Sequence, residues 1–331
     1  MGCGSWTETS YKSYATSTGK TYDSVRMCCT DSVSASQMFK QDRIHKALDI
    51  KGKIRECCDN DEHPNTVPVI LALDVTGSMG NAAVKVAQSL SRIMTDIMAK
   101  AKDVEFSIMA IGDIEYDGAP VQMSQFESDV RIAEAIDNIY FEHGGGGNFY
   151  ESYTLAWYTG LKHAKLDCWN RGKKGIIITL GDEPLNPVLR REGWRTTLNE
   201  CLGDNFQADI GTSDLYKEVT QKYDVYHISV DEKECCYSRN NCDGSVDKSF
   251  KKIIGADHYF VASLNQLPGT ISKIVIDRAN NSDTYVDIDT STSDVPAFEG
   301  GEVSWGEDAT ADAVTSTTTA KSKRVSGIAC F

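Results

Sequence analysis

Asp74, Thr76 and Ser78 place a carboxylate and two hydroxyls at alternate positions of one short stretch. Oxygen donors of this kind are the ligands that hard divalent cations such as Mg²⁺ and Mn²⁺ prefer. The three oxygens converge only if the chain turns tightly, and Gly77 and Gly80 allow the backbone angles that such a turn needs. The stretch therefore predicts a cation-binding loop, and an ordinary N-cap of a following helix is the alternative.

The residues on either side predict a strand before this loop and a helix after it. Residues 67–73 form an apolar run, which is typical of a buried parallel strand. Residues 82–101 carry apolar side chains at 83, 86, 87, 90, 94, 97, 98 and 101, the spacing of one face of an amphipathic helix. The loop would then lie at the carboxyl end of a strand, where open α/β sheets bind ligands.

Two later stretches carry a related pattern. Four glycines at 144–147 precede Asn148, and the apolar run 176–180 leads through a glycine to Asp182. With the first stretch, these pieces resemble the metal-ion-dependent adhesion site (MIDAS) of von Willebrand factor type A (vWA) domains. In that family, Asp-x-Ser/Thr-x-Ser is followed by a Thr in a glycine-rich loop and by an Asp after a later strand.

The resemblance implies a site for Mg²⁺ or Mn²⁺ with ligands from all three pieces. The implied metal ligands are Asp74, Thr76, Ser78, Asn148 and Asp182. Asn148 departs from the family pattern, because an amide is bulkier than the usual Thr hydroxyl and cannot lose a proton. Glu151 and Ser152 are the alternatives to Asn148, and a turn-forming or helix-capping role is the alternative for Asp182.

Strand and helix patterns alternate from 67 to 278. This alternation predicts a mostly parallel sheet of about six strands with helices on both faces. The run 121–126 is short and follows Pro120, which favours an edge strand antiparallel to its neighbour. The predicted fold class is α/β, a doubly wound and mostly parallel sheet with one antiparallel edge strand, of the vWA or Rossmann-like kind.

Amphipathic or capped segments predict further helices at 128–140, 149–166, 213–223, 246–254 and 264–278. Ser128 is the expected N-cap of the first of these. The aromatic side chains of 149–166, Tyr153 among them, are interpreted as core residues. Asp113, which follows the predicted strand 104–111, is either a turn residue or an outer partner of the metal.

The predicted organisation has three parts. Residues 1–66 form a partly ordered N-terminal arm, 67–279 a vWA-like domain with an insertion at about 187–212, and 280–331 an acidic Ser/Thr-rich tail with few large apolar residues. The insertion contains a basic and aromatic cluster, Arg190, Arg191, Trp194 and Arg195. This cluster is interpreted either as a solvated helix or as a lid that contacts a partner, because Trp and Arg are enriched in interface hot spots.

The charge, the apolar stretches and the cysteines of the sequence bear on which classes of function are expected. The formal net charge of −14 disfavours nucleic-acid binding. No apolar stretch reaches the ~18 residues of a transmembrane helix, and the sequence lacks an apolar signal core, so we expect a cytoplasmic protein. The 11 cysteines are expected to be reduced. Zinc at Cys57 and Cys58 with His63, or at Cys235 and Cys236 with Cys242, is the alternative.

The predicted function is a non-enzymatic, divalent-cation-dependent protein-binding module. An Asp or Glu of a partner would complete the coordination of the cation. The vWA resemblance implies an AAA+ ATPase as one partner class. A metal-dependent phosphoester hydrolase and a structural component of a phage or cellular assembly are the alternatives. The stretches 55–80, 112–122 and 147–153 are also similar to uncharacterised prokaryotic and phage vWA proteins, a resemblance that implies no activity.

Overall fold

The computed structural model of the chain describes residues 4–143, 148, 150–231 and 246–280. Several predictions concern positions outside these residues. They are the glycine run 144–147, the zinc alternative at Cys235, Cys236 and Cys242, and the acidic tail from 281 onward.

The strands of the described residues are mostly short, and four of them have seven or eight residues. In chain order they are β1 Tyr22–Asp23, β2 Cys28–Cys29, β3 Arg55–Cys57, β4 Val67–Asp74, β5 Val104–Ile111, β6 Val121–Met123, β7 Ala164–Leu166, β8 Gly175–Gly181, β9 Val188–Leu189, β10 Ile210–Gly211, β11 Tyr223–Val230 and β12 Tyr259–Ala262.

The helices vary from a single turn to five turns. In chain order they are α1 Glu8–Ser17, α2 Ala35–Met38, α3 Gly80–Met98, α4 Arg131–Asp137, α5 Thr154–His163, α6 Leu198–Leu202, α7 Thr212–Val219, α8 Val246–Ile254 and α9 Leu267–Asn280. In the described part of the chain, none of them combines the length and the apolarity that crossing a membrane requires.

The main sheet has the order β6-β5-β4-β8-β11-β12. Neighbouring strands are parallel, except that β6 runs antiparallel to β5 at one edge. This arrangement confirms the predicted fold class, including the antiparallel edge strand. The strand order reverses between β4 and β8, and a crevice for ligands forms outside the carboxyl ends of strands at such a point.

The side chains of β4 alternate between two hydrophobic cores. Val69, Leu71 and Leu73 pack in the core that contains α1, α3, α4 and α9. Ile70 and Ala72 pack in the core that contains α5, α7 and α8. Burial of one large aliphatic side chain contributes about 1.5–3 kcal/mol. The strand that ends at Asp74 is therefore held in place from both faces of the sheet.

The N-terminal residues from 4 to 66 pack on the sheet domain. In α1, Tyr11 and Ala15 are buried in the same core as α3. The Tyr14 hydroxyl donates a hydrogen bond to Asp137 Oδ2 at 2.6 Å. The strand β3 pairs in parallel with β7, which directly follows α5. These contacts attach the N-terminal segment to both sides of the domain.

Several predicted helices have wrong bounds, two of them because of contacts with the N-terminal segment. The helix predicted at 128–140 is the shorter α4, and Ser128 does not cap it, because the Ser128 hydroxyl donates to the Gly4 carbonyl at 2.7 Å. The helix predicted at 149–166 is α5, which begins at Thr154. It ends at His163, because the next residues form β7 and pair with β3. In both cases a long-range contact with the N-terminal segment replaces a local helical contact.

The segment 187–212 is not a single solvated helix. It contains β9, the short α6 and β10, and β9 pairs antiparallel with β10. The next helix, predicted to reach 223, is α7 and ends at Val219. It ends there because Tyr223 already belongs to β11, which pairs with β8.

We expect Tyr11→Ala to lower the free energy of unfolding by about 3–5 kcal/mol, since it removes a large aromatic side chain from the core. Urea denaturation followed by circular dichroism measures this loss. Val25→Ala is the control, because Val25 is 92% exposed, and its effect should stay within about 0.5 kcal/mol. A loss below about 1 kcal/mol for Tyr11→Ala would show that the N-terminal segment does not share the core.

Candidate metal centre

The loop after β4 contains the first predicted metal ligands. Asp74 is the last residue of β4 and is fully buried. Its Oδ1 accepts hydrogen bonds from the Thr76 backbone amide at 2.9 Å and from the Thr76 hydroxyl at 2.6 Å. A single 3₁₀ turn, Gly77–Met79, then leads directly into α3. Neither helical segment has a side-chain N-cap, so Asp74 shapes the loop rather than capping α3.

A hydrogen bond joins this loop to the loop after β8. The Ser78 hydroxyl donates to Asp182 Oδ1 at 3.1 Å, although 104 positions separate the two residues. Asp182 is buried, and its Oδ2 has no hydrogen-bond partner among the described residues. The fold therefore brings together two of the predicted ligands, and it leaves one buried carboxylate oxygen without a donor.

Tyr153 connects Asp74 to the same region, which the sequence analysis did not anticipate. Its hydroxyl donates to Asp74 Oδ2 at 2.9 Å and accepts from the Glu183 amide at 3.3 Å. Gly181 makes this possible, because a Cβ at Gly181 would lie 1.9 Å from the Tyr153 hydroxyl oxygen. The only sequence signal was the glycine before Asp182, and it does not reveal which side chain fills the space.

Asn148 and Ser152 contact a different carboxylate. The Asn148 side-chain amide donates to Asp113 Oδ2 at 2.8 Å, and the Ser152 hydroxyl donates to Asp113 Oδ1 at 3.1 Å. The Asp113 backbone amide in turn donates to Asp117 Oδ2 at 2.8 Å. Asp113 thus gathers the residues that were predicted at or near the third ligand position, and it lies just beyond the carboxyl end of β5, beside β4.

Glu151 is the remaining alternative for that position. It is buried, its backbone bridges to Leu185, and its Oε2 has no hydrogen-bond partner among the described residues. Burial and then the charges of Asp74 and Asp113 raise the pKa of Glu151 well above its usual range. Of the three residues considered for this position, Asn148, Glu151 and Ser152, Glu151 alone has a side chain that can carry a negative charge.

The carboxyl groups at this end of the sheet have pKa values raised by shared burial. Burial raises the pKa of Asp74 to about 6, and burial with the nearby charge of Asp74 raises the pKa of Asp182 to about 8. Burial followed by the charge of Glu142 outweighs the hydrogen bond from Asp113 and raises the pKa of Asp117 to about 7. Carboxyl groups buried close together either remain protonated or require a cation that balances their negative charge.

The donor set fits a hard cation only if the hydroxyls take part. In the described part of the chain, no group of three His, Cys, Asp or Glu side chains is arranged to hold a metal ion. A cation beside Asp182 would therefore depend on the hydroxyls of Thr76 or Ser78, as in the predicted set. The Asp182 Oδ2 atom is buried and has no hydrogen-bond donor in the described part of the chain, and this is the observation that fits a cation.

The same finding removes the zinc alternative at Cys57, Cys58 and His63. The Cys57 thiol instead lies 3.2 Å from Glu105 Oε2, to which it donates. Both ring nitrogens of His63 are engaged, Nε2 with the Gly4 carbonyl at 2.9 Å and Nδ1 with Asp103 at 3.4 Å. The described cysteines are free thiols.

The basic and aromatic cluster of the insertion lies beside the Asp113–Asp117 loop. Trp194 is 84% exposed, and its ring stacks on Tyr116 with 5.9 Å between the ring centroids. Its backbone amide donates to the Glu115 carbonyl at 2.8 Å. A Cβ at Gly193 would lie 1.7 Å from the Ile114 carbonyl oxygen, so this close approach requires glycine.

No family model and no curated protein matches the chain. Among solved structures, the chain is similar to the pilus adhesin SpaC of Lactobacillus rhamnosus GG, with 15% identity over 69% of this chain and 31% of that chain and a TM-score of 0.43. The vWF domain of the type V pili tip protein Mfa5 of Porphyromonas gingivalis matches with 13% identity over 68% of this chain and 98% of that domain, with a TM-score of 0.44. Proximal thread matrix protein 1 of the mussel byssus matches with 13% identity over 65% of this chain and 48% of that chain, with a TM-score of 0.41.

These likenesses have low identity, and the chain spans about a third of the length of the SpaC adhesin. The fold assignment rests on the strand order and strand directions of the chain itself.

We expect the metal-free protein to lose stability as the pH rises from 6 to 8. The pKa values of Asp182 and Asp117 are raised to about 8 and about 7, so in this range the folded state binds more protons than the unfolded state. Urea denaturation in a chelator should show a fall of at least about 1 kcal/mol, because one pKa unit corresponds to about 1.4 kcal/mol.

Asp182→Asn keeps the shape of the side chain and removes its titration, so its stability should fall less over the same range. A wild-type stability that stays level or increases from pH 6 to pH 8 in the chelator would contradict the raised pKa values.

Proposed function

We propose that the chain is a protein-binding module that works through a divalent cation. Ser78 and Thr76 would bind Mg²⁺ or Mn²⁺ through their hydroxyls, with Asp74 and Asp182 as ligands directly or through water. The observation that carries this proposal is the contact of Ser78 with Asp182, in which the second oxygen of Asp182 is buried and receives no hydrogen bond from any residue that the structure describes.

Electrostatics supports a cation at this position. Burial raises the pKa values of Asp74 and Asp182, so two ionised carboxylates are disfavoured there unless a cation balances them. A divalent cation supplies the charge that ionises both groups and also occupies the side of Asp182 that lacks a donor. The same charge would bring Asp74, Thr76 and Ser78 into one coordination shell.

The third ligand position has two candidates in this proposal. The resemblance to the MIDAS motif favours Asn148, although its amide group donates to Asp113 in the structure. Glu151 has an oxygen that no described residue hydrogen-bonds, and burial and then the charge of Asp74 raise its pKa, so it is the alternative. In either case Asp113, held by Asn148 and Ser152, would lie outside the shell of direct ligands.

A partner carboxylate would complete the coordination of the cation. Mg²⁺ demands six oxygen ligands and usually keeps several waters, so a partner Asp or Glu can replace one of them. Because the chain has a net charge of −14, an acidic partner would be repelled unless the cation lies between the two carboxylates. The resemblance to vWA domains makes an AAA+ ATPase one candidate partner, and exposed Trp194 beside the site offers it an aromatic contact.

We expect Mg²⁺ to raise the melting temperature of the wild-type protein at pH 8, because a ligand that binds only the folded state stabilises it. A thermal-shift titration from chelator into millimolar Mg²⁺ measures the effect. Ser78→Ala should abolish the response, since it removes one ligand and leaves the charge unchanged.

Ser213→Ala is the matched control, because Ser213 is exposed at the start of α7. It should respond to Mg²⁺ as the wild type does. An equal Mg²⁺ response in Ser78→Ala would show that the ion binds elsewhere.

We expect the immobilised protein to retain a partner from a cell extract in Mg²⁺ and to release it in a chelator. Ser78→Ala should retain none, and Ser213→Ala should retain as much as the wild type. Retention is measured by quantitative mass spectrometry of the eluted proteins. A partner bound equally well in the chelator would exclude a metal-bridged contact.

A further inference from the structure

A cavity of about 560 Å³ lies at the opposite end of the sheet from the candidate metal centre. Its wall includes Val67 at the start of β4, Ile176 near the start of β8 and Asp224 near the start of β11. It therefore opens at the amino ends of the parallel strands. Pockets that bind small molecules commonly have volumes of about 300–1,000 Å³.

Basic side chains dominate the charged part of this wall. Arg171, Lys173, Lys174 and Arg278 line the cavity, against the single lining carboxylate of Asp224. The whole chain has 34 basic and 48 acidic residues, so the cluster runs against the average charge of the protein. Four cations around one space repel each other unless anions balance them.

The ion pairs of the described residues balance part of this charge. The Arg171 guanidinium contacts Asp59 and also donates to the Thr66 carbonyl at 2.8 Å. Asp224 contacts Arg278, and the Lys174 ammonium lies 3.8 Å from its other oxygen. Asp224 is thus shared between two cations.

Lys173 has no ion pair among the described residues, although it lines the same cavity. Among the described residues, Asp59 and Asp224 are carboxylates that contact these basic side chains. A phosphate monoester carries a charge of about −1.5 to −2 near pH 7, which suits a cavity whose charged wall is mainly basic. Guanidinium groups also suit phosphate oxygens through their fork of N–H donors.

We infer that this cavity binds a small organic phosphate. Lys173 and Lys174, together with the guanidinium groups of Arg171 and Arg278, hold the phosphate. The uncharged part of the ligand packs against the apolar wall, to which Val67 and Ile176 belong. The volume exceeds that of a lone phosphate, which is why the ligand class is an organic phosphate rather than a free inorganic ion.

Isothermal titration calorimetry on the full chain tests this inference. The probes are adenosine 5′-monophosphate, inorganic phosphate and uncharged adenosine, all at low ionic strength, where electrostatic contacts are least screened. A chelator is present throughout, so that no probe binds through a divalent cation at the metal centre. We expect adenosine 5′-monophosphate to bind more tightly than inorganic phosphate, and adenosine not to bind.

Two double variants distinguish binding in the cavity from non-specific electrostatic attraction of the phosphate to the protein. Lys173→Gln with Lys174→Gln should weaken adenosine 5′-monophosphate binding at least about tenfold. Lys162→Gln with Lys217→Gln makes the same change of net charge at residues whose side chains are 51% and 73% exposed, and it should change the affinity less than about twofold.

The inference is overturned if neither phosphate probe binds at millimolar concentration, or if both double variants weaken binding equally. Equal binding of adenosine and its monophosphate would overturn it as well, because recognition would then not depend on the phosphate. None of these outcomes bears on Mg²⁺ binding, which is measured separately.

Discussion

Carboxylates buried side by side at the carboxyl end of a parallel sheet are the constraint on which this structure depends. Asp74 ends the central strand β4 and Asp182 follows its neighbour β8, and both are buried. The strand order reverses between β4 and β8, so the two loops face the same crevice. Hydrogen bonds from Thr76, Ser78 and Tyr153 stabilise part of the negative charge of these carboxylates. Protonation or a bound cation must balance the remaining charge.

Local patterns in the sequence were sufficient to predict the sheet and the loop at its centre. The apolar runs of β4 and β8 mark buried parallel strands, and the polar residues that follow them must meet at one edge. The resemblance to the MIDAS motif implied that Ser78 and Asp182 lie close together, and the ends of β4 and β8 at one edge of the sheet are the physical basis of their contact. The antiparallel edge strand β6 was predictable from its short length and from the proline before it.

Contacts between distant segments were not predictable in the same way. Tyr153 reaches Asp74 because Gly181 leaves space for its ring, and no periodicity in the sequence reports such a space. The Asn148 side chain donates a hydrogen bond to Asp113. This contact depends on how closely two loops approach each other, which the residue types do not reveal. The strand β7 replaces the last turn of a predicted helix, because β3 of the N-terminal segment offers it a partner.

The two candidate sites differ in charge and lie at opposite ends of the parallel strands. Acidic side chains gather at the carboxyl ends of β4, β5 and β8, and basic side chains surround the cavity at the amino ends. The proposed ligands differ accordingly, a cation at one end and a phosphate at the other. The two proposals depend on different residues, so each stands or fails without the other.

Anomalous diffraction from crystals grown in Mn²⁺ at pH 8 tests the central claim most directly. The account predicts one Mn²⁺ peak with Ser78 Oγ at direct-ligand distance, about 2.0–2.3 Å, and with Asp74 and Asp182 beside it. A crevice without a Mn²⁺ peak, in which Ser78 still contacts Asp182 as it does without metal, would contradict it.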